Sequence, residues 1–142
     1  MPGSLVLVQE TTVSSSTASV SLTGIDSTYD VYMCRFNNVT FTTSSNTGFR
    51  ARVTVSGTAD TTSNYDGAQK TLYAASSFID NAYTNGTYFV GLNNLDQSGS
   101  GGATPGSNAN AIYYLYNWNN SSEYSFITQE EATMLYTTAL YG

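Results

Sequence analysis

Short runs of alternating apolar and polar residues, bounded by Gly, Asn, Asp and Ser, recur along the chain. A period of two predicts β-strands, because successive side chains of a strand point to opposite faces. The predicted strands are Leu5–Thr12, Ala18–Leu22, Val31–Val39, Phe49–Val55, Thr87–Leu92, Ala111–Asn117 and Glu123–Thr128. Ala68–Phe78 fits either a strand or a short helical turn. Glu130–Tyr141 is expected to hold one helical turn near Glu131–Leu135 and then a closing strand.

Two of these segments also predict which side chains face the core. In the third strand the core positions are Tyr32, Cys34 and Phe36, and the opposite face carries Val31, Met33, Arg35 and Val39. In the fourth strand the apolar face is Phe49, Ala51, Val53 and Val55, opposite Arg50, Arg52 and Thr54. We therefore expect each strand to bury one face.

Turn chemistry separates the strands. The segments Gly24–Thr28 and Asn117–Ser122 are predicted turns, and Ser56–Asn64 is a predicted polar loop. A Gly-rich stretch, 98–110, is predicted to be an exposed loop. About seven short strands with turns roughly every ten residues favour an antiparallel, jelly-roll-like β-sandwich. An alternating βα pattern is lacking, so we expect an all-β fold with residues 1–142 as a single domain.

The composition is unusual for a soluble domain. Apolar residues make up 40% of the chain and charged residues only 10%, against about 25% charged residues in ordinary domains. We expect Ser, Thr, Asn and Tyr to cover most of the surface. A mass of 15.2 kDa suits one compact domain rather than two.

Net charge restricts the partners. The chain has four basic residues and a net charge of −6, so it lacks the basic stripe that nucleic-acid binding requires. No apolar run approaches the roughly 18 residues of a membrane-spanning helix. The first residues lack the basic region of a signal peptide. We therefore expect neither nucleic acid nor membrane as a partner.

The absence of histidine changes the chemical picture most. Without His, and with Cys34 as the single thiol, the sequence contains no Ser–His–Asp triad, no Cys–His dyad and no usual zinc site. We expect no enzymatic activity, no cofactor and no metal. A carboxylate-only hydrolase using Asp26, Asp30 or Glu130 remains an alternative. Turn capping and solvation of strand ends explain those carboxylates equally well.

Two further groups of residues are candidate contacts. Arg50 and Arg52, with Arg35 on another strand, suggest either an anion clamp or ordinary ion pairs with acids such as Asp60 or Asp66. A cluster of aromatic residues surrounds the last predicted turn: Tyr113, Tyr114, Tyr116, Trp118 and Tyr124. These rings suggest either a stacking platform for sugars or packing within a core and a subunit interface.

Sheet edges favour self-association. Free edge strands are usually protected by Lys or Pro, and this chain has one Lys and two Pro. Either the strands close on themselves or neighbouring subunits cover them. We expect a homo-oligomer, with a trimer as the arrangement common among jelly rolls of this size.

Three stretches resemble a known family: Gly24–Tyr32, Arg50–Asp66 and Ser121–Phe126. They are similar to virion structural proteins of tailed phages that infect marine bacteria, of cyanophage and pelagiphage type, often labelled tail-fibre or structural proteins. The similarity extends from about Leu5 to Thr133. Its motifs are turns and strand starts, so no catalytic residues are implied.

The resemblance implies a location in the virion, as a capsid decoration, a head appendage or part of the tail or tail fibre. The implied partners are further copies of the chain and other virion proteins. A host-surface glycan is the partner in the alternative function, a carbohydrate-binding module or adhesin that uses Trp118 and the nearby tyrosines. Members of the family continue with a Gly-rich turn and a closing strand after the segment that matches Glu123–Phe126. This chain stops at Gly142, which implies either a short member or a missing C-terminal piece.

Overall fold

The computed structural model describes residues 4–40, 49–72, 78–90, 108–120 and 122–134, and all the regular structure in these ranges is antiparallel β-sheet. The strands are β1 Val31–Thr40, β2 Arg50–Ala51, β3 Thr54–Val55, β4 Thr58–Ala59, β5 Tyr65–Leu72, β6 Phe78–Gly86, β7 Phe89–Val90, β8 Asn108–Tyr116 and β9 Phe126–Met134. They form one three-stranded sheet, β1-β8-β9, and three two-stranded sheets, β2-β7, β3-β4 and β5-β6. For these residues the predicted all-β class is confirmed.

The central strand β8 carries most of the core. Every second side chain is buried, and the buried set is Ala109, Ala111, Tyr113 and Leu115. Tyr32 on β1 lies opposite Leu115 and joins the same cluster. Rings then extend this cluster: Phe36 lies with its centroid 5.0 Å from that of Tyr113 and 5.3 Å from that of Phe49. The core therefore lies on one face of the three-stranded sheet.

The predicted core positions of β1 are confirmed, with one correction. Tyr32 is buried, and Cys34 and Phe36 pack against the cluster. Val39 was assigned to the opposite face, yet it also packs there. The reason is a β-bulge between Phe36 and Val39, where Asn38 has a φ of 52°. The extra residue reverses the alternation, and Asn110 Oδ1 accepts a 2.9 Å hydrogen bond from the Asn38 amide.

Two strands have a buried tyrosine as their first or second residue, and its hydroxyl group bonds back to the preceding turn. The hydroxyl group of Tyr32 donates to the carbonyl oxygen of Asp26 at 2.9 Å, and that of Tyr65 donates to the carbonyl oxygen of Asp60 at 3.0 Å. In both turns the Asp carboxylate accepts the amide of the residue two positions later, as in an Asx turn. We call these arrangements the two Asp–Tyr corners. They resemble the tyrosine corner of β-sandwich domains.

Hairpin β5-β6 decides one ambiguity and adds one strand. The segment Ala68–Leu72 is strand rather than helical turn, because it pairs with Phe78–Ala82. Strand β6 was not predicted, since its Asp and Asn residues are typical of turns. At Gly67 an added Cβ would lie 2.5 Å from the Tyr83 ring. A larger residue at this position would therefore require the Tyr83 ring to shift.

Residues 4–30 form no strand, so the predictions for Leu5–Thr12 and Ala18–Leu22 were wrong. The two segments are instead linked through one side chain. Gln9 Oε1 accepts the Thr23 amide at 2.6 Å, and Gln9 Nε2 lies 3.4 Å from the Ser21 carbonyl oxygen. The apolar side chains of Leu5 and Leu7 are largely exposed. The alternating pattern alone was not sufficient for strand formation, because neither segment pairs with another strand in the described ranges.

Several predicted boundaries were wrong for local reasons. The segment Phe49–Val55 divides into β2 and β3, and the predicted loop Ser56–Asn64 contains β4. Ser56 and Gly57 both have positive φ, so they form the tight primed turn between β3 and β4. Within the described ranges, β7 comprises Phe89–Val90; residues 91 and 92 of that prediction lie outside these ranges, as do residues 98–107 of the predicted loop.

The C-terminal part of the sheet differs most from expectation. Asn108–Asn110, predicted to be loop, begins β8, and β9 begins at Phe126 rather than Glu123. The helical turn predicted near Glu131–Leu135 is strand as far as Met134. Glu, Ala and Met favour helices, but pairing with β8 overrides that propensity here. The remaining residues of that prediction, 135–141, lie outside the described ranges.

We expect Tyr65→Phe to lower the free energy of unfolding by about 1–3 kcal/mol, because the Val53 amide and the Asp60 carbonyl lose their partner. Urea denaturation followed by circular dichroism measures this cost. Tyr124→Phe is the matched control, since Tyr124 is 86% exposed and should change stability by less than about 0.5 kcal/mol. Equal effects of the two substitutions would contradict the role of the corner.

The corners also predict acid sensitivity. Hydrogen bonds from Thr28, and then from Tyr32, hold the pKa of Asp26 below its ordinary value of 3.8, and Thr62 does the same for the pKa of Asp60. A carboxyl group whose pKa is lower in the folded than in the unfolded state stabilises the fold at pH values above its unfolded-state pKa. This stabilisation is lost as the pH falls through the folded-state pKa. Stability should therefore decline below pH 3.8. In D26N/D60N, whose amide oxygens still accept hydrogen bonds, thermal melting should depend less on pH between about 4 and about 2.

Candidate functional site

The five aromatic residues predicted as a contact site lie in three different environments. Tyr113 is buried in the core, and Trp118 packs half-buried with its ring centroid 6.1 Å from that of Phe89. Trp118 Nε1 donates to the Phe126 carbonyl oxygen at 3.2 Å. Tyr114 and Tyr116 point to the opposite face of β8, and Tyr124 stands almost fully exposed before β9. These residues are close together in the sequence, but alternation along β8 places the side chains of Tyr113 and Tyr114 on opposite faces of the sheet.

The face of the three-stranded sheet that points away from the core brings together residues from all three strands. The pairing defines three rows across β1, β8 and β9: Val31–Tyr116–Phe126, Met33–Tyr114–Thr128 and Arg35–Ile112–Glu130. We call these nine residues the outer face. Residues directly opposite each other in antiparallel strands project to the same side, so the rows share one surface.

The outer face is mostly apolar and aromatic, with its charged residues at one end. Six of its nine residues are apolar or aromatic, and Val31, Tyr114 and Phe126 are 46%, 36% and 56% exposed. In the last row Arg35 and Glu130 lie on the two edge strands with Ile112 between them. Exposed apolar groups concentrated on one sheet face are characteristic of interaction surfaces.

Sequence reasoning missed this surface, although β8 contains a signal for it. Residues Ala111–Tyr116 form a continuous apolar and aromatic run rather than an alternation. Such runs are typical of strands that are covered on both faces. The core covers one face of β8, and the described part of the chain leaves the other face partly exposed.

Arg50 and Arg52 have a partner that the sequence analysis did not propose. The guanidinium carbon of Arg50 lies 4.2 Å from the centre of the Tyr88 ring, and that of Arg52 lies 5.6 Å away. Arg52 Nε also donates to the Thr87 carbonyl oxygen at 2.9 Å. Within the described ranges the ion pair is Lys70–Asp80, so these arginines bind an aromatic face rather than Asp60 or Asp66.

Two of the carboxylates proposed for a hydrolase, Asp26 and Glu130, lie in different local environments. Glu130 lies on the outer face, whereas its neighbour Glu131 lies opposite Ala111 on the core side of β9. Asp26 is bound within its Asp–Tyr corner, which lowers its pKa and keeps it ionised rather than available as a proton donor. Burial raises the pKa of the Cys34 thiol, which disfavours the nucleophilic thiolate.

Side chains that could bind a metal ion are not clustered in the described part of the chain. Among the described residues, no three Asp, Glu or Cys side chains come close enough to hold a metal ion. Asp side chains can supply oxygen ligands for calcium, but here Asp26 and Asp60 cap turns, Asp66 accepts the Asn85 amide at 2.8 Å, and Asp96 lies outside the described ranges.

No family model, curated protein or solved structure matches the chain. In the described ranges no helix has the length and apolar character needed to cross a bilayer.

The placement of Trp118 predicts a structural cost on its removal. Trp118→Ala should lower the free energy of unfolding by about 2–4 kcal/mol, because the ring packs against the core and its indole nitrogen binds Phe126. Tyr124→Ala, at an exposed position of the same aromatic group, should cost less than about 0.5 kcal/mol. Chemical denaturation followed by far-ultraviolet circular dichroism compares both without relying on tryptophan fluorescence. Similar values would contradict the separation of the two side chains.

Proposed function

We propose that this protein is a non-enzymatic structural protein of a tailed-phage virion that assembles as a homo-oligomer on the capsid surface or in the tail. The observation that carries this proposal is the outer face, an apolar surface on regular sheet that includes Val31, Tyr114 and Phe126. A surface of this kind is suited to binding another protein surface. In support, the Asp26 carboxylate is bound within a turn, and burial raises the pKa of the Cys34 thiol.

The residues that carry the family resemblance support the same proposal. The segments Gly24–Tyr32 and Arg50–Asp66 contain the two Asp–Tyr corners, and residues 122–126, the described part of the third segment, lead into β9. These stretches therefore fix strand starts rather than a reaction site. A resemblance at such positions fits proteins that share a scaffold and an assembly role.

We propose further that the single domain is a jelly-roll-like sandwich. Support comes from the core side of the three-stranded sheet, where Phe49 and Trp118 pack against the buried cluster. Phe89 contacts both Trp118 and Tyr65, at centroid distances of 6.1 and 4.7 Å. In the proposed sandwich, ribbon β2-β7 contributes to the second layer, and tyrosine corners are common in such folds.

Particle composition tests the proposal. The chain should be detected by mass spectrometry in density-gradient-purified virions of the phage that encodes it, at a constant copy number per major capsid protein. Electron cryomicroscopy of the same particles should then locate it on the head or the tail. A non-structural phage enzyme serves as the negative control. Detection only in host cytosol, or robust substrate turnover by the purified chain, would overturn the proposal.

A second candidate is a carbohydrate-binding module or adhesin domain that recognises a host-surface glycan. The observation that favours it is the exposure of Tyr124, at 86%, together with Tyr114 at 36%, since exposed aromatic rings stack on sugars. Trp118 is the weaker anchor, because it already packs against Phe89. Glycan-array binding that is lost in Tyr124→Ala, with melting unchanged, would support this function. Loss only in Trp118→Ala with reduced stability would count as unfolding.

A further inference from the structure

The outer face has a geometry that is complementary to itself. Its rows run across three strands that are spaced about 4.8 Å apart, and β8 lies in the middle. A two-fold axis parallel to β8, placed above the sheet, exchanges the β1 and β9 sides of each row. Arg35 of one copy then faces Glu130 of the other, and the same pair forms again on the opposite side.

The other rows fit the same operation. Val31 of each copy comes opposite Phe126 of the other, while Ile112, Tyr114 and Tyr116 meet their own counterparts along the axis. Two sheets packed face to face in this way lie about 10 Å apart with strands nearly aligned. The contact is isologous, the commonest kind among homo-oligomers.

We infer that the outer face is the interface for a second copy of this chain, which docks through a two-fold axis along β8 with two reciprocal Arg35–Glu130 pairs. The inference deepens the proposed function and rests on it, because it specifies the contact of the proposed homo-oligomer. It also covers Ile112, Tyr114 and Tyr116, the apolar and aromatic residues on the second face of β8.

Charge favours a second copy over an unrelated partner. Within one chain Arg35 and Glu130 are separated by Ile112 and a distance of two strand spacings, about 10 Å. A partner surface carrying one sign of charge would oppose one of them. The outer face itself has no net charge, in a chain whose overall charge is −6. It is therefore a region where two copies approach with little electrostatic repulsion.

The size of the surface sets the strength of the contact. Five residues along β1 and three strands across give a footprint of about 17 by 14 Å. This area is smaller than the roughly 800 Å² per partner of a standard interface. We therefore expect a reversible dimer with a dissociation constant on the order of 10–100 µM in solution, strengthened on a particle, where effective concentrations are higher.

Exchanging the charges of Arg35 and Glu130 tests the proposed two-fold contact. Analytical ultracentrifugation from about 5 to 500 µM should show self-association of the unaltered chain. R35E and E130R should each weaken it by about tenfold, since each creates two like-charge contacts. An equimolar mixture of the two variants should associate to within about threefold of the unaltered chain, because one carries only carboxylates at these positions and the other only guanidiniums.

A matched control uses the ion pair on hairpin β5-β6. K70E and D80R introduce charge changes of the same size at exposed positions away from the outer face, and they should leave self-association unchanged. Near-ultraviolet circular dichroism should confirm that every variant is folded. A second variant, Tyr114→Asp, places two carboxylates on the axis and should abolish the dimer.

Three results would overturn the inference: a monomer at 500 µM, association that R35E and E130R leave unchanged, or variants whose mixture does not recover. A trimer whose association R35E and E130R leave unchanged would overturn the inference for the same reason. These outcomes are distinguishable from failure of the proposed function, which depends on whether the chain is present in purified virions. A chain found in virions with its outer face uncovered would refute this interface alone.

Discussion

The pairing of β8 with a neighbour on each side is the constraint on which the rest of the structure depends. It assigns Ala109, Ala111, Tyr113 and Leu115 to the core and, in the same step, assigns Ile112, Tyr114 and Tyr116 to the outer face. A slip of one residue would exchange these two sets. The core and the outer face are therefore consequences of the same register.

Polar contacts hold the ends of this arrangement. The two Asp–Tyr corners satisfy turn amides and anchor buried hydroxyl groups at the starts of β1 and β5. At the other end of β1, the Asn38 bulge redirects Val39 to the core, and Asn110 satisfies the amide of Asn38. In a chain with few charges, hydroxyl and amide side chains carry out the positioning that ion pairs provide in other proteins. Such bonds are short-ranged and little affected by salt.

The sequence predicted the all-β class and the core positions of β1, because a period of two directly reports the two faces of a strand. The sequence-based predictions were wrong where strand formation depends on pairing with another segment. Leu5–Thr12 alternates but has no paired strand in the described ranges, whereas β6 pairs despite its turn-forming residues. For the candidate site, sequence proximity placed Tyr113 beside Tyr114, although neighbours in a strand face opposite ways. The Arg50–Tyr88 contact was also hidden, because it joins segments that are distant along the chain.

The order of pairing in the three-stranded sheet has a kinetic consequence. Strand β1 ends at Thr40, and its partner β8 begins only at Asn108, so about 70 residues must be synthesised between them. At roughly 5–20 residues per second the ribosome needs about 3–14 s for that interval. During this time the Tyr32 corner can form from local residues, but the apolar side chains of β1 have no sheet to join. Newly made chains are thus exposed to aggregation until translation passes β8, and crowding of nascent chains on one messenger would increase that risk.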